Sequence, residues 1–362
     1  MIPYLSFYSL IVIFYLFSEN INFNQRHKNF YYFIFLVSIV IFTGLRTNIG
    51  GDWVTYEYNY MINGLEFEFS KYSLRSDYGW ELISYIFYKL GFTIHLLYFI
   101  SSLFFFFSLN FFINSYDSKL LVYIISFPIL IIILLMGYSR QAMAFSFLLL
   151  ALPNFFKEKY VKAFIFLTIG IFFHKSLLLF FIIFLLFPIK IFRVIFLNRV
   201  NFIFIFFFSL FVLLILYLIQ EDLRSLYLNY FGGSVNTNPV AEGAYHRWFV
   251  NFIPSALFII FFQKFTNNYI EKRVYLFFSL FCIFSVIFIP YYATGIDRYL
   301  YYFSLTQIYV FSQLPIIFYK YKKIIQSFVI IYYYSILLIW LNFSYHKFAW
   351  LPYNNLLFDI FK

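Results

Sequence analysis

An all-α integral membrane protein, a bundle of about 12 transmembrane helices, is the fold class the sequence predicts, and three observations predict it. The first is composition: of 362 residues, 64% are hydrophobic and only 11% charged, with a mean hydropathy of +0.83, whereas soluble domains carry about 25% charged residues. A soluble globular fold is excluded. The second is the length of the apolar runs, measured against the roughly 20 residues a helix needs to span a bilayer. The third is the placement of Lys and Arg, which alternates from loop to loop as membrane topology requires.

The runs fall at approximately residues 2–17, 30–45, 94–113, 119–137, 139–153, 159–173, 174–188, 200–219, 248–264, 272–290, 298–318 and 324–342. Residues 1–17 have no charged n-region and no small-residue cleavage site, so they read as a retained first span. Two boundaries rest on short polar interruptions, Gly137-Tyr138-Ser139-Arg140 and His174-Lys175-Ser176. Residues 80–92 carry Glu81 and Lys89 among aromatics and read as an interfacial or re-entrant helix. With the N-terminus outside, the inner loops are 18–29, 114–119, 154–162, 188–200, 264–273 and 319–323. They hold 15 of the 26 Lys and Arg in about 55 residues, against 11 in about 109 residues outside. The inner loops are short, and the two long segments, 46–93 and 220–247, are both outer. Residues 1–362 form a single polytopic domain with no internal repeat, and the outer face is where work is expected.

The formal charge of +11 is accounted for by these inner loops, so no nucleic-acid partner is implied. The single cysteine, Cys282, lies mid-span and forms no intramolecular disulfide. No histidine has a carboxylate at metal-ligand spacing, so neither a metal nor another cofactor is expected.

Charges at the membrane edge carry the functional signal. In Thr43-Gly44-Leu45-Arg46-Thr47-Asn48-Ile49-Gly50-Gly51-Asp52 an arginine ends a span and an aspartate follows across a double glycine. That turn can bring Asp52 back over Arg46, or Arg46 can simply snorkel to headgroups beside an ordinary turn. Arg140 stands with Gln141 between two apolar runs that leave almost no loop; it is either a binding cation or a structural carbonyl cap. His174 interrupts another run, where it can act as acid, base or donor, or merely bridge two helices. Arg247 precedes one span, and Asp297 and Arg298 precede another, in positions that also suit a paired structural rim.

All seven of these residues reach the outer face under a topology set mainly by other charges. A net-basic cluster there suits a diphosphate, which guanidinium groups bind in bidentate fashion. Trp53, Tyr56, Tyr58, Tyr60, Tyr299, Tyr301 and Tyr302 surround it and offer faces for sugar rings, with an interfacial aromatic belt as the competing explanation.

Gly44-Leu45-Arg46, Gly51-Asp52 with Tyr56, Arg140-Gln141 with Ala144, Phe173-His174-Lys175-Ser176 and Asp297-Arg298-Tyr299, in this order, resemble the EpsG family, a branch of the Wzy-type O-antigen, capsular and exopolysaccharide polymerases. The resemblance implies a glycosyltransferase-type enzyme of the bacterial cytoplasmic membrane with an extracytoplasmic active face. It would join undecaprenyl-diphosphate-linked oligosaccharide repeat units, alongside a chain-length regulator and a flippase. On that reading Arg140 and Arg46 hold the diphosphate with Arg298 in reserve, and Asp52 or His174 is the base. Asp297 orients an arginine or a sugar, and Arg247, Tyr56 and Tyr299 complete the binding surface. An O-antigen ligase, a lipid-linked oligosaccharide flippase and a membrane acyltransferase are the alternatives. A flippase should show two related halves and charges through its midplane, and no second motif supports the acyltransferase.

Overall fold

The computed structural model describes residues 1–20, 24–65, 77–186, 243–265 and 268–357. The inner loop at 188–200, the expected span at 200–219 and most of the outer loop at 220–247 lie outside the described residues. Among the described residues the fold is helical, and the only strand-like pairing is an isolated bridge between Arg46 and Asn355. Five stretches are long and apolar enough to cross a membrane: Ile2–Glu19, Arg26–Gly44, Ile94–Ser115, Tyr269–Ile317 and Tyr319–Phe343. Shorter apolar helices are Lys119–Leu135, Tyr160–Phe173 and Lys175–Leu185. The chain is a membrane protein, and the count of about 12 spans is matched only in part.

The helices are α1 (Ile2–Asn20), α2 (Gln25–Gly44), α3 (Trp53–Leu65), α4 (Tyr78–Lys89), α5 (Ile94–Phe112), α6 (Lys119–Ser126), α7 (Ser139–Phe156), α8 (Tyr160–Phe173) and α9 (Leu178–Leu186). After the undescribed stretch come α10 (Gly243–Ile260), α11 (Tyr269–Ser285), α12 (Ile289–Phe303), α13 (Leu305–Ile317) and α14 (Lys322–Phe343). Side-chain caps mark two starts at one end of the bundle. Asn24 accepts from the His27 N–H at 3.0 Å, and Asn268 accepts from Ile270 and Glu271 N–H groups at 3.0 and 3.2 Å.

From Leu121 to Gly137 every residue is buried, so this segment is the mast around which the others pack. Its second half, Phe127–Leu135, is a π-helix. Pro128 has no N–H to return to the preceding turn, and the wider spacing begins there. A π segment displaces carbonyls at its end, and inside a membrane each needs a donor from the protein. Peripheral helices instead turn apolar side chains outward, among them Phe33, Phe107, Ile331 and Phe343, the surface that a lipid solvent calls for. A buried polar clamp ties three helices together. Tyr333 donates to Gln307 Oε1 at 2.7 Å, Gln307 Nε2 donates to Asn251 Oδ1 at 2.8 Å, and Asn251 Nδ2 donates to the Arg247 carbonyl at 2.9 Å.

Both polar interruptions read from the sequence are helix breaks. Tyr138 leaves helical geometry at φ −130°, ψ 64°, and His174 is extended at φ −162°, ψ 124°. The outer segment 46–93 is not loop throughout, because α3 and α4 fold within it. The span expected at 298–318 is divided at Ser304, and its first part, α12, reaches back to Ile289 across a kink at Tyr292 (φ −142°, ψ 41°). Pro290 is not a terminator but stands in the first turn of α12, where a missing N–H costs nothing. Asp297 and Arg298 therefore sit within a helix instead of leading into one.

Beyond α14 the chain folds back across this end of the bundle. Trp350 is buried, donates Nε1–H to the Ile132 carbonyl at 3.0 Å, and accepts from Tyr4 at its own carbonyl at 2.8 Å. Tyr353 donates to the Phe42 carbonyl at 2.8 Å.

Candidate functional site

Arg46 leaves the end of α2 and turns inward, 1% exposed. Its Nη1 donates to the Thr43 carbonyl at 2.7 Å and its Nε to the Met136 carbonyl at 3.1 Å. Nη2 reaches Ser139 Oγ at 3.0 Å and the Leu135 carbonyl at 3.4 Å. The ring of Tyr98 lies 4.6 Å beneath it. The Leu135 and Met136 carbonyls stand at the end of the π segment, so the guanidinium caps the mast and ties it to the end of α2. Burial pulls its pKa down to about 10, which still leaves it charged at neutral pH. The expectation that Arg46 binds a diphosphate is corrected: its donors are engaged inside the protein.

The double glycine after it is pinned from two sides. Gly50 has φ +123°, its N–H donates to the Ala349 carbonyl at 2.8 Å, and a Cβ there would stand 2.4 Å from the Met136 carbonyl oxygen. The turn does not fold Asp52 over Arg46. Asp52 starts α3 in the field of Arg140 and Arg298 instead, and burial raises its carboxyl above the ordinary range although both cations pull it down.

Arg140 is the second residue of α7, two residues past the break at Tyr138. Its Nη1 lies 3.2 Å from Asp77 Oδ2, its guanidinium covers the ring of Tyr56 at 5.2 Å, and its buried Nε has no partner. The side chain keeps 28% of its surface exposed, against 11% for Asp77. Asp77, just before α4, is a site residue that the sequence reading missed. Burial raises its carboxyl, opposed by Arg140, Lys175 and Arg298 and by a hydrogen bond from the Lys175 backbone. The signal was present: an acid immediately ahead of the aromatic helix predicted at 80–92.

His174 Nδ1 is 2.6 Å from Ser176 Oγ, which is 2.7 Å from the Tyr302 hydroxyl; the Ser176 backbone N–H also points at Nδ1, at 3.3 Å. Gln141 hydrogen-bonds the same tyrosine and donates Nε2–H to the Arg298 carbonyl at 2.7 Å. His174 falls in the break between two apolar helices. Burial there, and the charges of Arg298, Arg140 and Lys175, hold its imidazole well below the usual range and so neutral.

Arg247 forms a bidentate pair with Asp297 through Nε and Nη2, and stands 4.6 Å over the ring of Tyr301. Both side chains are 14% exposed. Asp297 thus orients an arginine, and that arginine is Arg247. The two residues saturate one another, the structural pairing that the sequence left open, and neither presents the free binding group expected of it. Tyr138 links this pair to the rest, since its hydroxyl feels Arg247, Asp297, Asp52 and Arg298 together.

The aromatic residues support the charges instead of offering open faces. Tyr56 is 4% exposed beneath Arg140, Trp53 stacks on Tyr98 at 4.8 Å, and the Tyr60 hydroxyl donates to the Phe92 carbonyl at 2.8 Å. Tyr301 and Tyr302 are buried, Tyr299 is half-buried against the main core, and Tyr58 is exposed. Tyr56 is accordingly corrected from a sugar platform to the floor under Arg140. What the fold brings together is Asp52, Asp77, Arg140, His174, Lys175 and Arg298, a cationic cluster holding two carboxyls of raised proton affinity and one neutral imidazole. Such a set can bind an anion and accept a proton beside it. Among the described residues no three His, Cys, Asp or Glu side chains gather as a metal site.

A family model described as the EpsG family matches residues 28–355. No curated protein and no solved structure matches the chain.

Proposed function

The chain belongs to the EpsG family, which is associated with polysaccharide polymerase-type proteins, and on that premise we propose that it is a polymerase joining undecaprenyl-diphosphate-linked oligosaccharide repeat units at the outer face of the bacterial cytoplasmic membrane. The observation that carries the reading is Arg140: a guanidinium anchored by one carboxylate and one aromatic ring, with an unpartnered Nε, beside a second carboxyl of raised affinity for protons.

The proposed step is glycosyl transfer. A hydroxyl of the incoming unit attacks the anomeric carbon of the growing glycan, and a new C–O bond forms. The bond from that carbon to the diphosphate oxygen breaks, and undecaprenyl diphosphate leaves with the electron pair. The hydroxyl proton passes to a base of the protein. Arg140, with Arg298, meets the charge that develops on the diphosphate, where preorganised cations act most strongly. Asp52 and His174 are the two candidates to serve the hydroxyl. Against a flippase stands the mast from Leu121 to Gly137, which carries no charged residue, while the charges of the site lie past its end.

Deletion of the gene in the source strain, followed by electrophoresis of surface and lipid-linked glycans, tests the reading. Loss of the long ladder with retention of single repeats is expected, restored by wild type and not by Arg140→Ala. Full-length polymer left on its lipid carrier would identify a ligase, and single units accumulating inside the cell would identify a flippase.

A further inference from the structure

The hydrogen-bond chain ending at His174 runs in one direction, because its last link cannot reverse. The Ser176 backbone N–H can only donate, and its acceptor is His174 Nδ1 at 3.3 Å. With Nδ1 an acceptor, the Ser176 hydroxyl 2.6 Å away donates to it, and that hydroxyl in turn accepts from Tyr302 at 2.7 Å. An imidazole that accepts at Nδ1 and stays neutral among three cations carries its one proton on Nε2.

Resting on the polymerase reading, we propose that His174 is a neutral hydrogen-bond donor through Nε2–H, held in that tautomer by Ser176 and Tyr302 as positioning residues, and that Asp52 alone is the base. In the transfer step the acceptor hydroxyl proton goes to the Asp52 carboxylate, and His174 keeps its proton throughout. Its N–H stabilises oxygen charge in the transition state, either on the departing diphosphate or on the sugar. A ring whose Nδ1 lone pair is engaged and whose Nε2 is already protonated has no site for the hydroxyl proton. Asp52 has one, and burial has raised its affinity.

The test uses the full-length protein in nanodiscs with the source strain's own undecaprenyl-diphosphate-linked repeat units. Glutamine places an amide N–H near the Nε2 position and is a very weak base. His174→Gln is therefore expected to stay within about 10-fold of wild-type kcat, while His174→Ala falls by about 10²–10³, the loss typical of one removed transition-state donor. Ser176→Ala is expected to lower kcat by about 10-fold with KM unchanged, and Ser176→Thr to restore it, because the hydroxyl and not the fold is at issue. In protein labelled with ¹⁵N-histidine, the resonances lost in His174→Gln should show an unprotonated, hydrogen-bonded Nδ1 and a protonated Nε2 at neutral pH. A His174→Gln protein that is folded yet as inactive as His174→Ala, or an Nδ1 that bears the proton, overturns the proposal. A wild-type protein that makes no longer glycan fails the polymerase reading instead, and the ¹⁵N shifts still decide the tautomer.

Discussion

Arg46 and Arg140 look alike in the sequence, each at the edge of an apolar run, and each comes to rest over a tyrosine ring, Tyr98 at 4.6 Å and Tyr56 at 5.2 Å. Their acceptors set them apart. Arg46 gives its protons to three backbone carbonyls and a serine and is sealed from its surroundings, whereas Arg140 meets one carboxylate, leaves Nε unpartnered and keeps an exposed edge. A cation surrounded by neutral acceptors holds structure together, and a cation with a single acidic anchor and an open side is ready for an anion.

The largest effect that sharpens this contrast is expected from Arg46→Ala. It removes the side-chain donor from the carbonyls of Thr43 and Met136 at roughly 1–3 kcal/mol each and weakens the hold on Leu135, enough to abolish folded protein in a marginally stable bundle. Yield and thermal unfolding in detergent report it, and Arg46→Lys should rescue little because an ammonium lacks the planar fork. Next is Arg140→Ala, which unpairs Asp77 but leaves that carboxyl near Lys175 and Arg298, so it should cost less stability than Arg46→Ala while polymer synthesis drops by about 10²-fold or more. A stable but inactive Arg46→Ala beside an unfolded Arg140→Ala would invert the contrast and break it.

A third expectation concerns pH. As the proposed base, Asp52 must be ionised, and burial raises its carboxyl above the ordinary range. Activity should therefore hold at neutral pH and fall as pH is lowered through that raised value, earlier than an ordinary aspartate near about 4 would allow. A kcat profile flat down to the ordinary range would remove Asp52 from the role of base. The smallest effect is expected from Gly137→Ala. A Cβ there would stand 2.4 Å from Trp350 Cζ2, so the indole must shift, at about 1–3 kcal/mol in unfolding free energy with the site charges untouched.

The sequence made the breaks legible because they are chemical: Arg140 and His174 cannot continue an apolar helix through hydrocarbon, and the chain bends at Tyr138 and His174. It also named most of the charges that meet. It did not separate Arg46 from Arg140, since only the π segment, invisible to hydropathy, decides which carbonyls lack donors. Asp77 went unmarked among the other acids of the segment 46–93 because its value lies in a long-range pair with Arg140. The aromatics misled for a compositional reason: with 28% Phe, Trp and Tyr, proximity to charge says nothing about which ring face is covered.

Trp350 fills the space between Gly51 and Gly137 and holds the Ile132 carbonyl, while Ala349 and Asn354 accept from the backbone N–H groups of Gly50 and Thr47. The tail beyond α14 is thus a keystone set last, closing an arch whose other stones are the mast, the Arg46 corner and the turn that carries Asp52. A chain trimmed before Trp350 would lose a wedge from the middle of the scaffold that carries the candidate site. A handle for purification is better spliced into the turn between α13 and α14, at the opposite end of the bundle, where Lys322 pairs with Glu19 at 2.7 Å.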